Sequence, residues 1–295
     1  MLSPHGHAED HGSNRLISRL SAFPLVHRRI LLRTPPNNYP RFLYKYVPPD
    51  IPEEWLEDYF INSLFFLSPA SGFNDPFDIS MKVVMEGTVT QKRRVFTEML
   101  KNVHPKLPKQ KREVEVNRVM VDGRSTLENV RAIHNQHIES LGVTCLSTNP
   151  RSLLMWSHYG KHHKGIVLQF EIARDPTSFL CAAPMKYSKV YPVLNFLENR
   201  SDIIHYALRK FCDWSYEEEW RILRIASAGR YHPFQSHALT AIIAGYKAGN
   251  EIFDKLGRVL AKRLEMGMAP VKPYQAKLHD SKYQLIITNQ VPQIS

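Results

Sequence analysis

The chain has 295 residues, 43% apolar and 23% charged, an ordinary globular composition that supports a sizeable core in one large domain or two small ones. No apolar run approaches the roughly 18 residues that a membrane-crossing helix needs, and three widely spaced cysteines, Cys145, Cys181 and Cys212, make neither a disulfide framework nor a paired-cysteine metal site. The net charge of +11 is concentrated in two segments: residues 1–40 set five Arg against Glu9 and Asp10, and residues 91–118 set nine Lys and Arg against Glu98, Glu113 and Glu115.

In chain order, residues 1–40 carry His5, His7, His11 and His27 with Arg15, Arg19, Arg28, Arg29 and Arg33, but few evenly spaced apolar positions and no apolar signal segment. They are expected to form a flexible basic tail ahead of a single domain over 41–295. Free cysteines fit a reducing compartment, so a cytoplasmic location without membrane contact is expected. Arg41 to Val47 reads as a strand that stops at Pro48-Pro49. A short helix with Pro52 near its start and Glu53, Glu54 in its first turn follows. Ser63 to Ser68 is a second strand, and Pro69 to Asp78 is a loop rich in turn residues. Val95, Phe96, Met99, Leu100 and Val103 share one helical face over 91–103. Pro105 to Lys111 breaks that period and reads as a mobile connection, part of a basic insertion near 104–120. Ser125 with Glu128 reads as a capping box opening a helix that ends at Gly142.

Val143 to Leu146 is then a strand, Asn149-Pro150 starts a short helix through Tyr159, and Ile166 to Ile172 is a strand. A helix beginning at Ser201-Asp202 aligns Ile204, Ala207, Leu208 and Phe211. Strands at Glu219 to Ile225 and Leu239 to Ala244, a helix capped by Asn250, and two strands flanking His279-Asp280 complete the chain. Strands and helices mix without regular β-α-β alternation, which argues for an α+β architecture over a doubly wound sheet. Neither GxGxxG nor a Walker loop occurs.

Three clusters carry candidate chemistry. Phe73-Asn74-Asp75-Pro76-Phe77-Asp78 is either a tight turn anchored by its two Phe or a loop that shapes a pocket mouth. Leu154 to Gly165 places His158 and His162 four apart, a spacing able to share a metal on a helix, although Gly160 lies between them and a third ligand has to come from Asp75 or Asp78. In Trp214-Ser215-Tyr216-Glu217-Glu218-Glu219-Trp220-Arg221, an extended backbone points Glu217 and Glu219 to one side and Glu218 to the other. Two carboxyls among aromatic rings raise each other's pKa and mark a site; the alternative is an acidic surface turn paired with Arg221 or Arg224.

Leu43-Tyr44-Lys45-Tyr46, the FNDPFD loop, LMWSHYGKHHKG (Leu154 to Gly165) and WSYEEEWRIL (Trp214 to Leu223) together resemble the bacterial domain-of-unknown-function family 2971, over roughly Phe42 to Gly245. That family name implies no activity. More distantly, the order of parts is similar to the ADP-ribosyltransferase superfamily. Tyr44-Lys45-Tyr46 stands where that fold has a first-strand aromatic or basic residue. Gly142 to Thr148 resembles its Ser-Thr-Ser strand, with Asn149 where Ser is usual, and Glu217-Glu218-Glu219 resembles its Glu-x-Glu. The resemblance implies an α+β fold with a mixed or antiparallel β core of two small packed sheets and flanking helices.

It also implies NAD as a substrate and no metal, in an enzyme of toxin or defence type. Glu219 is then the carboxylate that stabilises positive charge on the ribose, and Glu217 orients or deprotonates the acceptor. Ser147 and Thr148 brace carboxylate and ribose, and Tyr44, Tyr46 or Trp156 stack on nicotinamide. Lys45 or Arg221 meets the pyrophosphate. The acceptor is a nucleic acid or an acidic protein held by the basic 91–118 segment. Two other classes compete: a non-catalytic nucleic-acid-binding module built on that segment, and a metal-dependent nuclease using Asp75, Asp78, His158 and His162.

Overall fold

The computed structural model describes residues 39–198 and 203–289. The segment expected to form a tail lies outside the described residues except for Tyr39 and Pro40, as does the expected helix start at Ser201-Asp202. The elements run β1 (Phe42–Val47), α1 (Glu53–Glu57), β2 (Leu64–Leu67), β3 (Lys82–Val84), α2 (Val89–Val103), α3 (Lys109–Val121), α4 (Gly123–Glu139), β4 (Gly142–Ser147), α5 (Leu153–His158), β5 (Ile166–Glu171) and α6 (Pro176–Phe179). There follow β6 (Ala182–Pro184), β7 (Lys186–Ser188), β8 (Val193–Asn195), α7 (Ile203–Ala207), β9 (Arg209–Phe211), β10 (Glu219–Arg224), β11 (Arg230–Pro233), β12 (Leu239–Ala244), α8 (Asn250–Glu265), β13 (Lys272–Leu278) and β14 (Leu285–Thr288). Among the described residues no helix is long and apolar enough to cross a membrane.

The backbone groups into two compact units. The larger takes its described residues from Ile30–Ser80, Glu139–Tyr191 and Ile204–Ser295, the smaller from Met81–Ile138 and Pro192–Ile203. The sequence alone reads as one domain from residue 41 onward. In the smaller unit, however, α2 and α3 bury their apolar residues against each other. Val95, Phe96, Met99 and Leu100 meet Val116 and Val119 in a separate core. A capping box opens α2: Thr88 Oγ1 accepts from the Gln91 amide, and Gln91 returns the bond to Thr88. The connection expected to be mobile shortens to a few residues, because Pro108 starts α3 at Lys109. The helix expected to begin with a Ser125–Glu128 capping box begins earlier, at Gly123, with Asp122 Oδ1 accepting the Ser125 amide at 3.3 Å.

In the larger unit, eight strands join one sheet in the order β14-β13-β12-β5-β1-β4-β10-β6, antiparallel except for the β12–β13 pair. The strands with alternating burial supply both faces. Leu43 and Val47 of β1 with Ile166, Leu168 and Phe170 of β5 face one cluster that includes Ile252, Leu256 and Val259 of α8. Tyr44, Tyr46 and Val167 face the other, around Trp156. Two separate small sheets are therefore not what forms. A single sheet runs through, with a weak seam: β1 pairs with β5 at six positions but with β4 at one, Tyr44 opposite Ser147.

Candidate functional site

The seam opens into a cleft. At its other end β4 turns to the loop after β2, where Ser68 and Val143 exchange backbone hydrogen bonds of 2.9 and 3.0 Å. Between these two ties lies a cavity of about 380 Å³. Tyr44, Lys45 and Tyr46 of β1 wall it on one side, and Cys145, Leu146 and Ser147 of β4 on the other. Phe73, Asn74, His158 and Tyr159 add rim and wall, and Lys210, Glu217 and Glu219 supply its charge. The Lys45 ammonium donates to the Cys145 carbonyl across the gap at 3.1 Å. Burial lowers the pKa of that ammonium and raises that of the Cys145 thiol.

One left-handed residue sets the acid cluster. Cys212 to Glu217 forms a 3₁₀ turn, Glu218 sits at φ 44°, ψ 48°, and β10 begins at Glu219. The segment is therefore not the extended strand that its sequence suggests, yet the same two acids converge. Glu217 and Glu219 both turn inward, while Glu218 turns out and accepts from Thr148 Oγ1 at 2.9 Å and Asn149 Nδ2 at 2.8 Å. Those two bonds offset the cost of the left-handed backbone.

Glu217 accepts from the Tyr159 hydroxyl and from Lys210 Nζ, both at 2.6 Å. Glu219 accepts from Arg221 Nε at 2.7 Å and Nη2 at 3.0 Å, and from Lys210 at 3.4 Å. Arg221 is fully buried and uses all five N–H groups: the remaining ones reach both oxygens of Asp78, at 2.7 and 2.6 Å, and the Ala207 carbonyl. Its guanidinium lies 5.1 Å from the centre of the Phe73 ring. Three carboxyls thus meet two cations away from water, so one negative charge is in excess if all ionise. Burial pushes the Glu219 carboxyl up, but Arg221 and Lys210 outweigh it and hold it at about 2. Burial also pushes Glu217 up, the Glu219 carboxylate adds to the rise, and Lys210 offsets only part of it, so Glu217 sits above the usual carboxylate range. Burial works against the Lys210 ammonium, and Glu219, Glu217 and Asp78 together reverse that and raise it. Two neighbouring carboxyls with opposite shifts are the arrangement acid–base chemistry uses.

The cleft brings together Tyr44, Lys45, Tyr46, Ser147, Glu217 and Glu219. Ser147 braces backbone rather than a carboxylate: its hydroxyl donates to the Glu217 carbonyl at 2.6 Å and accepts the Asn149 amide at 3.0 Å. Thr148 holds Glu218, as above. Two expected ligand contacts are corrected. Trp156 is fully buried, its indole donating to the Pro150 carbonyl at 2.9 Å with one ring face stacked on His163, and offers no free surface to a ligand. Arg221 has no N–H left for a pyrophosphate. The four nuclease residues do not converge. Asp78 is held by Arg221 and Lys210, Asp75 Oδ1 accepts the Phe77 amide in the turn, and His158 Nδ1 pairs with the Tyr216 hydroxyl at 2.9 Å. Among the described residues no three His, Cys, Asp or Glu side chains group as a metal site needs.

Sequence reasoning missed Lys210, Tyr159 and the role of FNDPFD, which holds Arg221 through Phe73 and Asp78. Lys210 was legible in part: in a strand over Arg209–Phe211, it turns away from exposed Phe211 and toward the acids. The MWSHYGKHHKG motif sets α5. Lys161, His162 and His163 form three successive left-handed residues (φ 45°, 58° and 66°). A Cβ on Gly245 would lie 2.1 Å from the His163 carbonyl oxygen, so only glycine lets that turn close against the β12 end. No family model, curated protein or solved structure matches the chain.

Proposed function

We propose that the protein is an NAD-dependent enzyme of the ADP-ribosyltransferase type, within the bacterial family of unknown function that its motifs resemble, and that it modifies a macromolecular acceptor. One observation supports this most. Tyr44, Ser147 and Glu219 stand opposite one another across three adjacent strands and line one cleft, although they are far apart in sequence. A cavity of about 380 Å³ falls within the usual range for small-molecule sites, roughly 300–1,000 Å³.

NAD supplies a glycosidic bond whose cleavage sends an electron pair to departing nicotinamide and leaves positive charge on the ribose. Glu219, ionised at any physiological pH, stabilises that charge without reorganising, because Arg221 holds both its oxygens. Glu217, raised in pKa, takes the proton that the acceptor O–H or N–H loses as its heteroatom bonds to the ribose carbon. Tyr159 and Lys210 hold Glu217 in place. Tyr44 and Tyr46 take the stacking role that enclosed Trp156 does not fill, and Lys45 takes the phosphate role that Arg221 does not fill. Exposed Arg93, Arg94, Lys101, Lys109 and Lys111 on α2 and α3 give the acceptor a basic surface.

The test is NAD turnover by the wild type, Glu219→Gln and Glu217→Gln, with circular dichroism and thermal unfolding of each. Glu219→Gln is expected to lose NAD consumption by more than about 100-fold while staying folded. Turnover at the wild-type rate by folded Glu219→Gln removes that residue from the chemistry. A wild type that neither hydrolyses NAD nor labels protein, DNA or RNA overturns the reading.

A further inference from the structure

A second recess lies where α1 meets a two-stranded antiparallel sheet formed by β2 and β11, and its lining has one chemical character. Trp55 of α1, Asp58 and Tyr59 of the following π-helical turn, Leu64 and Phe66 of β2, and Tyr231 of β11 enclose about 60 Å³. The local fold explains the grouping. Trp55, Asp58 and Tyr59 are three and four residues apart, hence on one helical side. Phe65 and Leu67 of β2 point into the core, which turns Leu64 and Phe66 outward. Tyr231 stands opposite Phe66 in register, and their rings meet edge to face with centroids 5.7 Å apart. Three of the large rings remain substantially in water: Trp55 is 58% exposed, Phe66 43% and Tyr231 48%.

The carboxylate at this recess, Asp58, is unlike Glu53 and Glu57 before it. Glu53 and Glu57 of α1 each hold a cation of α8, Arg258 and Lys262, at 2.7 Å. Asp58 has no cationic partner among the described residues. It accepts from Asn62 Nδ2 at 3.0 Å, and its negative charge raises the pKa of the nearby Tyr231 hydroxyl. Ring faces carry partial negative charge, so four aromatic side chains around an uncompensated carboxylate attract a cation whose surface is itself apolar. A recess this small excludes a nucleotide, and a head group seated in it stays partly in solvent between the exposed rings.

We propose that Trp55, Tyr59, Phe66 and Tyr231, with Asp58, form an aromatic cage for an alkylated ammonium head group. The cage is independent of the cleft and stands whether or not NAD is turned over. Choline and a trimethyl-lysine side chain share this chemistry.

The experiment is an NMR titration of the full chain, following the Trp55 indole and Tyr231 ring signals, with tetramethylammonium chloride and, as the neutral isostere, tert-butyl alcohol. Saturable shifts are expected with the ammonium salt at constant ionic strength, and weaker ones with the alcohol. Trp55→Ala and Asp58→Asn, both at accessible positions, are expected to weaken binding about fivefold or more with the fold unchanged. A lysine-containing peptide with and without trimethylation identifies the source: tighter binding of the methylated peptide than of choline assigns a protein partner, and equal binding assigns a free small molecule. No saturable shift, equal affinity for the alcohol, or affinity unchanged in both variants overturns the cage.

Discussion

Lys210 is the residue on which the acid cluster turns. It is the cation that reaches Asp78, Glu217 and Glu219 together, and its ammonium also lies 4.8 Å from the Trp214 ring centre. Removing one member of a buried ionic network leaves charge uncompensated, at a cost of about 3–5 kcal/mol. Lys210→Met is therefore expected to lose about that much stability near pH 7. The loss should shrink toward about pH 4.5, since Glu217, already raised, then takes a proton and removes the excess charge. The sign follows from the shifts. A raised Glu217 carboxyl opposes folding at neutral pH, whereas the depressed Glu219 carboxyl contributes stability above the ordinary carboxyl range that is lost as pH falls toward 2. Denaturant midpoints of wild type and Lys210→Met at both pH values check this; a deficit that does not depend on pH contradicts the coupling. At this scale Glu217, Glu219 and the pairing with Arg221 were legible in the sequence, whereas Lys210 and Asp78 were not, because only folding brings those two to the cluster.

Among the elements, α4 carries a pH-sensitive position. His134 is buried on its inner face, and burial, aided by nearby His137, lowers its pKa to about 4. The unfolded chain binds a proton near pH 6.5 that the folded helix refuses. The contribution is complete above that pH and is lost as pH falls toward 4, about 3 kcal/mol in all. His134→Leu, apolar and similar in size, is expected to narrow the stability difference between about pH 7 and about pH 5. Denaturant midpoints at the two pH values measure it, and an unchanged difference contradicts the assignment. Apolar periodicity exposed α2 and α8 in the sequence, because each has one buried stripe. It did not expose α3, whose basic residues and two buried valines give little periodic signal. Nor did it expose β9, whose three residues read as the end of a helix.

For the molecule as a whole, charge is the clearest feature. Residues 91–118 hold six of the eleven net positive charges, and their Lys and Arg are mostly exposed on α2 and α3. If these helices hold a nucleic-acid acceptor, Arg93→Gln, Arg94→Gln and Lys101→Gln combined should weaken binding to unrelated sequences alike. They should also lower the slope of log affinity against log salt by about one per lost phosphate contact. NAD hydrolysis without an acceptor should not change. Fluorescence anisotropy over a salt series tests the first two expectations, and an unaltered slope rejects the surface.

Composition and period were enough to define an α+β chain, most long strands, and the acidic, aromatic and FNDPFD segments as places of interest, because burial of apolar side chains at regular spacing is a local property that a sequence carries openly. Pairing is not local. That Tyr44, Ser147 and Glu219 fall in line, that β1 and β4 part beyond a single bridge to leave a cavity, and that Arg221 is spent on Asp78 and Glu219, depend on strand register across long stretches of chain. Register is selected by the whole core at once, so only the tertiary structure decided which polar residues became neighbours.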